Sequence, residues 1–363
     1  MDIISRNHLR LLKSGVFGIM EPLEPMSNFK WLKLIQLSIV QECMGLTYDG
    51  MLKYVNSQQL VLASKVDEEW KAVIKNTEDK SAKMNECIAE MFQIFSKEPK
   101  LYYPVLIAGQ GMSLLYPNPQ HYYSSHISWY IPTEEKAREA DAWAKREAEI
   151  ISDLDPNKLR YQFMNVIVEN NHFAEELMDR KLNKDLQIMV TREKSYYKPN
   201  YIDISATKVE ILPPSINLLV LILRLMQHIL EEDVKPQMII DLGMFLRKIG
   251  DQVDYVKIER WLNELKMQTM ANLEATLLIK LFDFTEDEMP FMTERLDDDT
   301  EQLIENIFSP EYNEPTDDFS LGKKTKKSFK HLYRSATRMK YHPREITGSY
   351  ISKIQRLFSR IEE

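Results

Sequence analysis

Hydrophobic periodicity changes twice along this chain, and that change limits the available folds more than any other feature. Over residues 28–63 and 66–95, apolar residues recur every three to four positions. The first set is Trp31, Leu34, Ile35, Ile39 and Val40; the second runs from Trp70, Val73 and Ile74 to Cys87, Ile88, Met91, Phe92 and Phe95. That spacing puts each set on one face of a helix. At Pro104 the pattern switches. Residues 105–109 read as a short buried strand entering a glycine turn, 112–116 as a short helix, and Pro117-Asn118-Pro119 as its break. In 125–131, Ile127, Trp129 and Ile131 alternate with His126, Ser128 and Tyr130, the period of a strand with one apolar and one polar face. A helix starts at Pro132-Thr133-Glu134-Glu135 and is expected to reach about Ile151. Candidate strands follow at 159–163, 166–169, 187–191, 202–205 and 209–212. Pro213-Pro214-Ser215 closes this region, with Ser215 as an N-cap, and the chain returns to helix until Phe284, with breaks near Pro236 and Gly250.

The expected fold class is therefore α+β, a small mixed sheet embedded between N- and C-terminal helices. Five segments result: an N-terminal helical region (1–96), an α/β core (97–212), a C-terminal helical region (213–285), an acidic linker (286–320) and a basic helical tail (321–363). The linker carries 13 acidic residues and one basic residue, the tail 12 Lys/Arg and three acidic residues. Ile346, Tyr350, Ile354, Leu357, Phe358 and Ile361 give the tail one apolar stripe. Such a stripe beside basic residues suits an anionic membrane surface or a protein partner, or packing on the protein's own helices.

A net charge of −8 lacks the clustered Lys and Arg of a general nucleic-acid binder, so no specific nucleic acid is expected. Glycine is scarce: 10 residues are present, where average usage would give about 25. That argues against an enzyme built on several glycine-rich loops, such as a dinucleotide-binding fold. Cys43 and Cys87 have no metal-ligand spacing and read as small buried hydrophobes. The apolar run 218–223 is cut by Arg224, too short to span a bilayer, and the N-terminus shows no signal-peptide core. The expected location is the cytoplasm, with the periphery of the inner membrane as the alternative offered by the tail.

Several segments together carry a family likeness. They are the run 105–111 ending in Gly109-Gln110-Gly111, then Tyr116-Pro117-Asn118-Pro119, then 125–131. Leu11-Leu12-Lys13-Ser14-Gly15, His228 with Ile239-Ile240-Asp241, and Lys330-His331-Leu332-Tyr333 with His342-Pro343-Arg344-Glu345 flank them. In order and spacing the chain resembles the bacterial uncharacterised nucleotidyltransferase family of the polymerase β-like superfamily. The resemblance implies metal-assisted phosphoryl transfer. Two aspartates at i and i+2 on one strand, with a third acid from a neighbouring strand, hold divalent ions against the nucleotide phosphates. It also implies a setting in surface-polysaccharide biosynthesis.

The chain departs from that pattern where the chemistry sits. On the resemblance, Ser125 replaces the family's Gly, His126 and Ser128 replace its two aspartates, and Ala108 replaces its Lys. The family's Arg near Gln237 is missing, while Gly109 and Asp241 match and Glu169 stands as the third acid. One glutamate does not replace three carboxylates around Mg²⁺, which demands hard, charged oxygen ligands. The expectation is a catalytically degenerate protein acting as a binding or accessory component, with His126, Ser128 and Glu169 at the former catalytic positions. Gly109, Gln110, Gly111 and Ser125 are the candidate nucleotide-binding residues; a turn before a helix can cradle phosphate through backbone N–H groups, or be only a tight turn. No metal ligand set is expected, and Mg²⁺ with a nucleoside triphosphate belongs here only if the family activity survives. The alternatives are a working nucleotidyltransferase recruiting Asp153 or Asp155 beside Glu169, and an interaction module acting through the tail. His126, Ser128 and Glu169 also invite a Ser-His-acid triad, but neighbouring side chains on one strand face run parallel about 7 Å apart. A transition-metal site would draw on His172 or, on a loop, His121, which reads as solvated. Tyr122, Tyr123, Trp129 and Tyr130 are either a base-stacking cluster or strand packing, with Trp129 on the core face.

Overall fold

The computed structural model describes residues 1–97, 101–231 and 233–308, so the basic tail 321–363 lies outside the described residues. The N-terminal layer is α1 (Ile3–Leu12), α2 (Asn28–Val40), α3 (Met44–Asn56) and α4 (Ser64–Ser96). The single helical stretch expected over 28–63 is two helices, because the chain reverses at Glu42, which takes φ +59°. Helix α4 has 33 residues and so spans about 50 Å. Its first half buries Val66, Trp70 and Ile74 in one cluster with Trp31 and Tyr48. Its second half buries Met84, Cys87, Ile88, Met91 and Phe95 in another, against the sheet. One amphipathic stripe thus serves two cores.

The sheet contains β1 (Val105–Leu106), β2 (Ile127–Tyr130), β3 (Glu149–Asp155), β4 (Lys158–Phe163), β5 (Val166–Asn171), β6 (Asn200–Ile204) and β7 (Thr207–Ile211). Helices α5 (Glu134–Glu147) and α6 (Arg180–Tyr196) are inserted between strands. The strand order is β3-β4-β5-β2-β1-β7-β6. Strands β2 and β5 run parallel, as do β1 and β7, while β1 and β2 are antiparallel. Ile127, Trp129 and Ile131 face α4 and α5, and Tyr130 faces the C-terminal helices. The face read as polar is therefore covered as well, and all four residues of β2 are buried.

Two expected elements change type. Residues 187–191 belong to α6, not to a strand, since Leu182, Leu186, Met189 and Val190 share one buried helical face. The helix expected to reach Ile151 ends at Glu147, and 149–155 pairs with β4 as the bulged edge strand β3. The β-branched pair Ile150-Ile151 favours that extended backbone.

Glycine scarcity leaves its mark at the hairpins. The β4–β5 turn places Met164 at φ +51° and Asn165 at +60°; the β6–β7 turn places Ser205 at +46° and Ala206 at +61°. Both are two-residue turns of the kind usually built with Asn-Gly. A left-handed non-glycine residue costs about 1–2 kcal/mol, and glycine returns part of that as chain entropy. Ala206→Gly is therefore expected to stabilise the fold by about 0.5–1 kcal/mol, read as a higher urea midpoint. A lower midpoint would show that the turn is not under this strain.

The C-terminal layer is α7 (Pro214–Glu231), α8 (Pro236–Ile249), α9 (Tyr255–Glu264), α10 (Gln268–Phe282) and α11 (Asp297–Phe308). Helix α7 starts before Ser215, whose hydroxyl instead accepts from the Asp254 N–H at 2.9 Å. Contrary to expectation, α7 is long and apolar enough, by length and composition alone, to cross a membrane; 61% of it is buried inside the protein, which accounts for its hydropathy. Within the acidic stretch, α11 buries Leu303, Ile307 and Phe308. Ser5 donates to the Phe308 carbonyl at 2.7 Å and Gln41 to the Ile307 carbonyl at 2.8 Å, tying this helix to the N-terminal layer.

Candidate functional site

Strand β1 leads into the turn that the sequence singles out. Ala108 takes φ +48°, ψ −154° and Gly109 φ +50°. The chain then winds into a short 3-10 turn over Gly109–Leu115. A side chain at Gly109 would meet the Ser124 hydroxyl at 3.1 Å, so both backbone angle and space call for glycine there. Ala108 holds a conformation normally left to glycine, the kind of strain that collects at functional turns. Gln110 is tied to α4: its amide donates to Ser81 at 3.1 Å and Asn85 at 2.9 Å. Gly111 packs on Leu106, where an added Cβ would lie 3.3 Å from its side chain. Of this motif, Gly109 lies beside Ser124 and the His126 carbonyl, and Gln110 and Gly111 hold the turn to its surroundings.

The parallel pairing of β2 with β5 sets Ser128 directly beside Glu169. His126, two residues earlier, reaches the same carboxylate, with Nε2 3.4 Å from Oε2. Ser125 lies against the other ring nitrogen, 2.9 Å from Nδ1. The three positions expected to stand for the family acids thus meet on one sheet face. Burial, with the charges of Arg224, Arg160 and Lys158, holds the His126 imidazole below its ordinary pKa, against the pull of Glu169.

The sequence reading missed what surrounds Glu169. Arg160 lies directly opposite it on β4, with Nε 3.7 Å from Oε1, and Lys158 Nζ lies 3.7 Å from Oε2. Arg160 Nε is sealed from solvent without a hydrogen-bond acceptor. The signal was present: Lys158 and Arg160 alternate with Leu159 and Tyr161, which are core. Asp153 is paired instead with Lys145 at 2.6 Å. Among the described residues, no group of three or more His, Cys, Asp or Glu side chains is placed to share a metal ion. One carboxylate beside two fixed cations does not fit a hard divalent ion, which takes charged oxygens and is repelled by ammonium and guanidinium groups.

Behind the turn, Tyr116 donates to Asp241 Oδ1 at 2.5 Å and Tyr122 to Oδ2 at 3.0 Å. Burial pushes the Asp241 carboxyl up to about 7, against these hydrogen bonds and the charge of Arg224. This pairing explains why the Tyr116-Pro117 break and Asp241 occur in one chain: together they anchor the loop before β2 to α8. Gln237, on the same helix, donates to the Tyr123 carbonyl at 2.6 Å. Tyr122 and Tyr130 are buried, as is Trp129, so these three pack rather than offer a stacking surface. His121 is not solvated. It is buried between Asp49 (2.7 Å) and Glu78 (3.1 Å). Burial lowers its pKa, but the two acids outweigh burial and raise it overall.

A comparison with curated proteins finds no match. The family described as uncharacterised nucleotidyltransferase matches residues 27–283, from the start of α2 to the end of α10. The strained turn after β1, the β2–β5 pairing and the Tyr116–Asp241 anchor all fall inside that span, and the chain belongs to this nucleotidyltransferase family.

Proposed function

We propose that this family member is catalytically degenerate and acts as a binding or accessory protein, holding a phosphate-bearing ligand without a divalent metal. The observation that carries this reading is the charge around Glu169. Where the chemistry of nucleotidyl transfer calls for three carboxylates, one carboxylate stands beside Lys158 and Arg160 at 3.7 Å each, contacts longer than hydrogen bonds. A phosphate can displace Glu169 from these cations and form charge-assisted hydrogen bonds with donors that are not yet fully used. The ligand class is a nucleotide, and the setting that the family likeness implies is surface-polysaccharide biosynthesis.

The test is a thermal-shift titration with ATP, CTP, GTP and UTP, each with Mg²⁺, with Mn²⁺ and with EDTA. Ligand at a hundredfold over its Kd stabilises the native state by about 2.7 kcal/mol. The expected result is a shift with at least one nucleotide that survives EDTA and is lost in Lys158→Ala/Arg160→Ala. A shift that requires the metal, or none at all, would sink this reading.

A further inference from the structure

A second site lies at the carboxyl ends of the parallel strands β2 and β5, where open α/β sheets commonly bind ligands. A cavity of about 720 Å³ opens there between α5 and α6, within the size range of small-molecule pockets. Its walls include Tyr130, Pro132 and Phe173, and at its polar end sit His172 and Asp141. His172 Nε2 lies 2.7 Å from Asp141 Oδ2. Asp141 Oδ1 accepts from Asn170 at 3.1 Å, and Asn170 in turn accepts from the Tyr161 hydroxyl at 2.9 Å. Asn170 and Tyr161 are fully buried, so the carboxylate is fixed from behind. The His172 N–H of the backbone donates to the Asn157 carbonyl at 2.9 Å, which holds the residue itself.

This arrangement leaves one nitrogen available. With the Nε2–H of His172 donating to Asp141, the other ring nitrogen is Nδ1. Nδ1 then presents a lone pair, with no hydrogen-bond partner in the protein among the described residues, and His172 lines the cavity. A carboxylate behind an imidazole fixes the tautomer and strengthens the far nitrogen as an acceptor. The charges around it select the ligand. Arg138 is paired with Glu134, and Lys145 with Asp153; Asp141 adds one further negative charge. Such a lining disfavours phosphate and favours a neutral hydrogen-bond donor. We propose that this cavity binds a small, neutral, hydroxyl-bearing molecule whose hydroxyl donates to His172 Nδ1. The proposal uses none of the residues around Glu169 and stands whether or not a nucleotide binds there.

The experiment treats the full chain with diethyl pyrocarbonate and follows acylation of each histidine by peptide mass spectrometry. Glycerol, ribose and myo-inositol are the hydroxyl probes, inorganic phosphate is the control ligand, and His228 is the reference histidine. His172 is expected to react, to be protected by at least one polyol while His228 is not, and to be unaffected by phosphate. Asp141→Asn, which removes the carboxylate behind the ring, is expected to slow its acylation. Polyol protection is measured on the unaltered protein, so the test does not depend on that variant folding. A His172 rate that none of the three polyols changes, or one that phosphate slows instead, would overturn the proposal.

Discussion

His126→Asp combined with Ser128→Asp is expected to give this protein a stronger divalent-metal response than the parent chain shows. Ser128 is the direct parallel-strand neighbour of Glu169, and His126 already approaches the same carboxylate. The double change therefore converges three carboxylates on one sheet face. At Mg²⁺ or Mn²⁺ a hundredfold above Kd the gain is about 2.7 kcal/mol, or roughly 3–4 °C in midpoint for a chain of this size. Without metal the same variant should be less stable than the parent, because three acids then repel one another across a partly buried face. Removing Lys158 as well should strengthen the metal response, since its ammonium competes for Glu169. A metal titration that moves the variant no more than the parent would mean that these positions are not the former metal site.

The second large effect concerns pH. Asp241 has an ordinary pKa of 3.8, and in the fold burial pushes it up to about 7. The folded state therefore binds the proton more tightly than the unfolded chain does. Stability from this group is fully present below 3.8 and is lost as pH rises towards 7, by about 1.4 kcal/mol per pH unit and roughly 4 kcal/mol in all. Asp241→Asn keeps an acceptor for Tyr116 but removes the ionisation. Its stability relative to the parent should climb by about 2–3 kcal/mol between pH 5 and pH 7. Urea denaturation of both proteins at the two pH values checks this, and parallel pH curves would refute it. Other groups set the background against which the pair must be compared. Burial also raises Glu274, whose two carboxyl oxygens have no hydrogen-bond partner, and it acts in the same sense. Burial lowers His8 to about 3, so its contribution runs the opposite way, lost as pH falls below 6.5.

The order of layers was legible because periodicity reports burial. Alternation over 126–131 placed β2, and the apolar stripes placed α4 and the C-terminal helices. The face holding His126, Ser128 and Glu169 followed from strand geometry together with the family likeness. What stayed hidden was set by tertiary partners. Residues 187–191 carry the short apolar run Ile188-Met189-Val190, which suits a strand, yet Leu182 and Leu186 before it complete a helical face. Gln110 sits in a motif that suggests phosphate binding, but its amide is claimed by Ser81 and Asn85 from α4. Lys158 and Arg160 alternate with the core residues Leu159 and Tyr161, and only the β4–β5 register brings them to Glu169. Asp141 and His172 are 31 residues apart, and no local pattern announces their meeting.

Helix α4 bears on how this architecture is inherited. Its first three turns are part of the N-terminal core and its last turns are part of the sheet's cover. A single continuous helix thus joins the two layers. The catalytic-type sheet is therefore not a portable cassette: cut free at Pro104, it would lose the helix that shields Trp129 and Val168. Evolution could copy or exchange this sheet only together with the helices before it, and the family span beginning at residue 27, well upstream of the first strand, has the extent that such an indivisible unit requires.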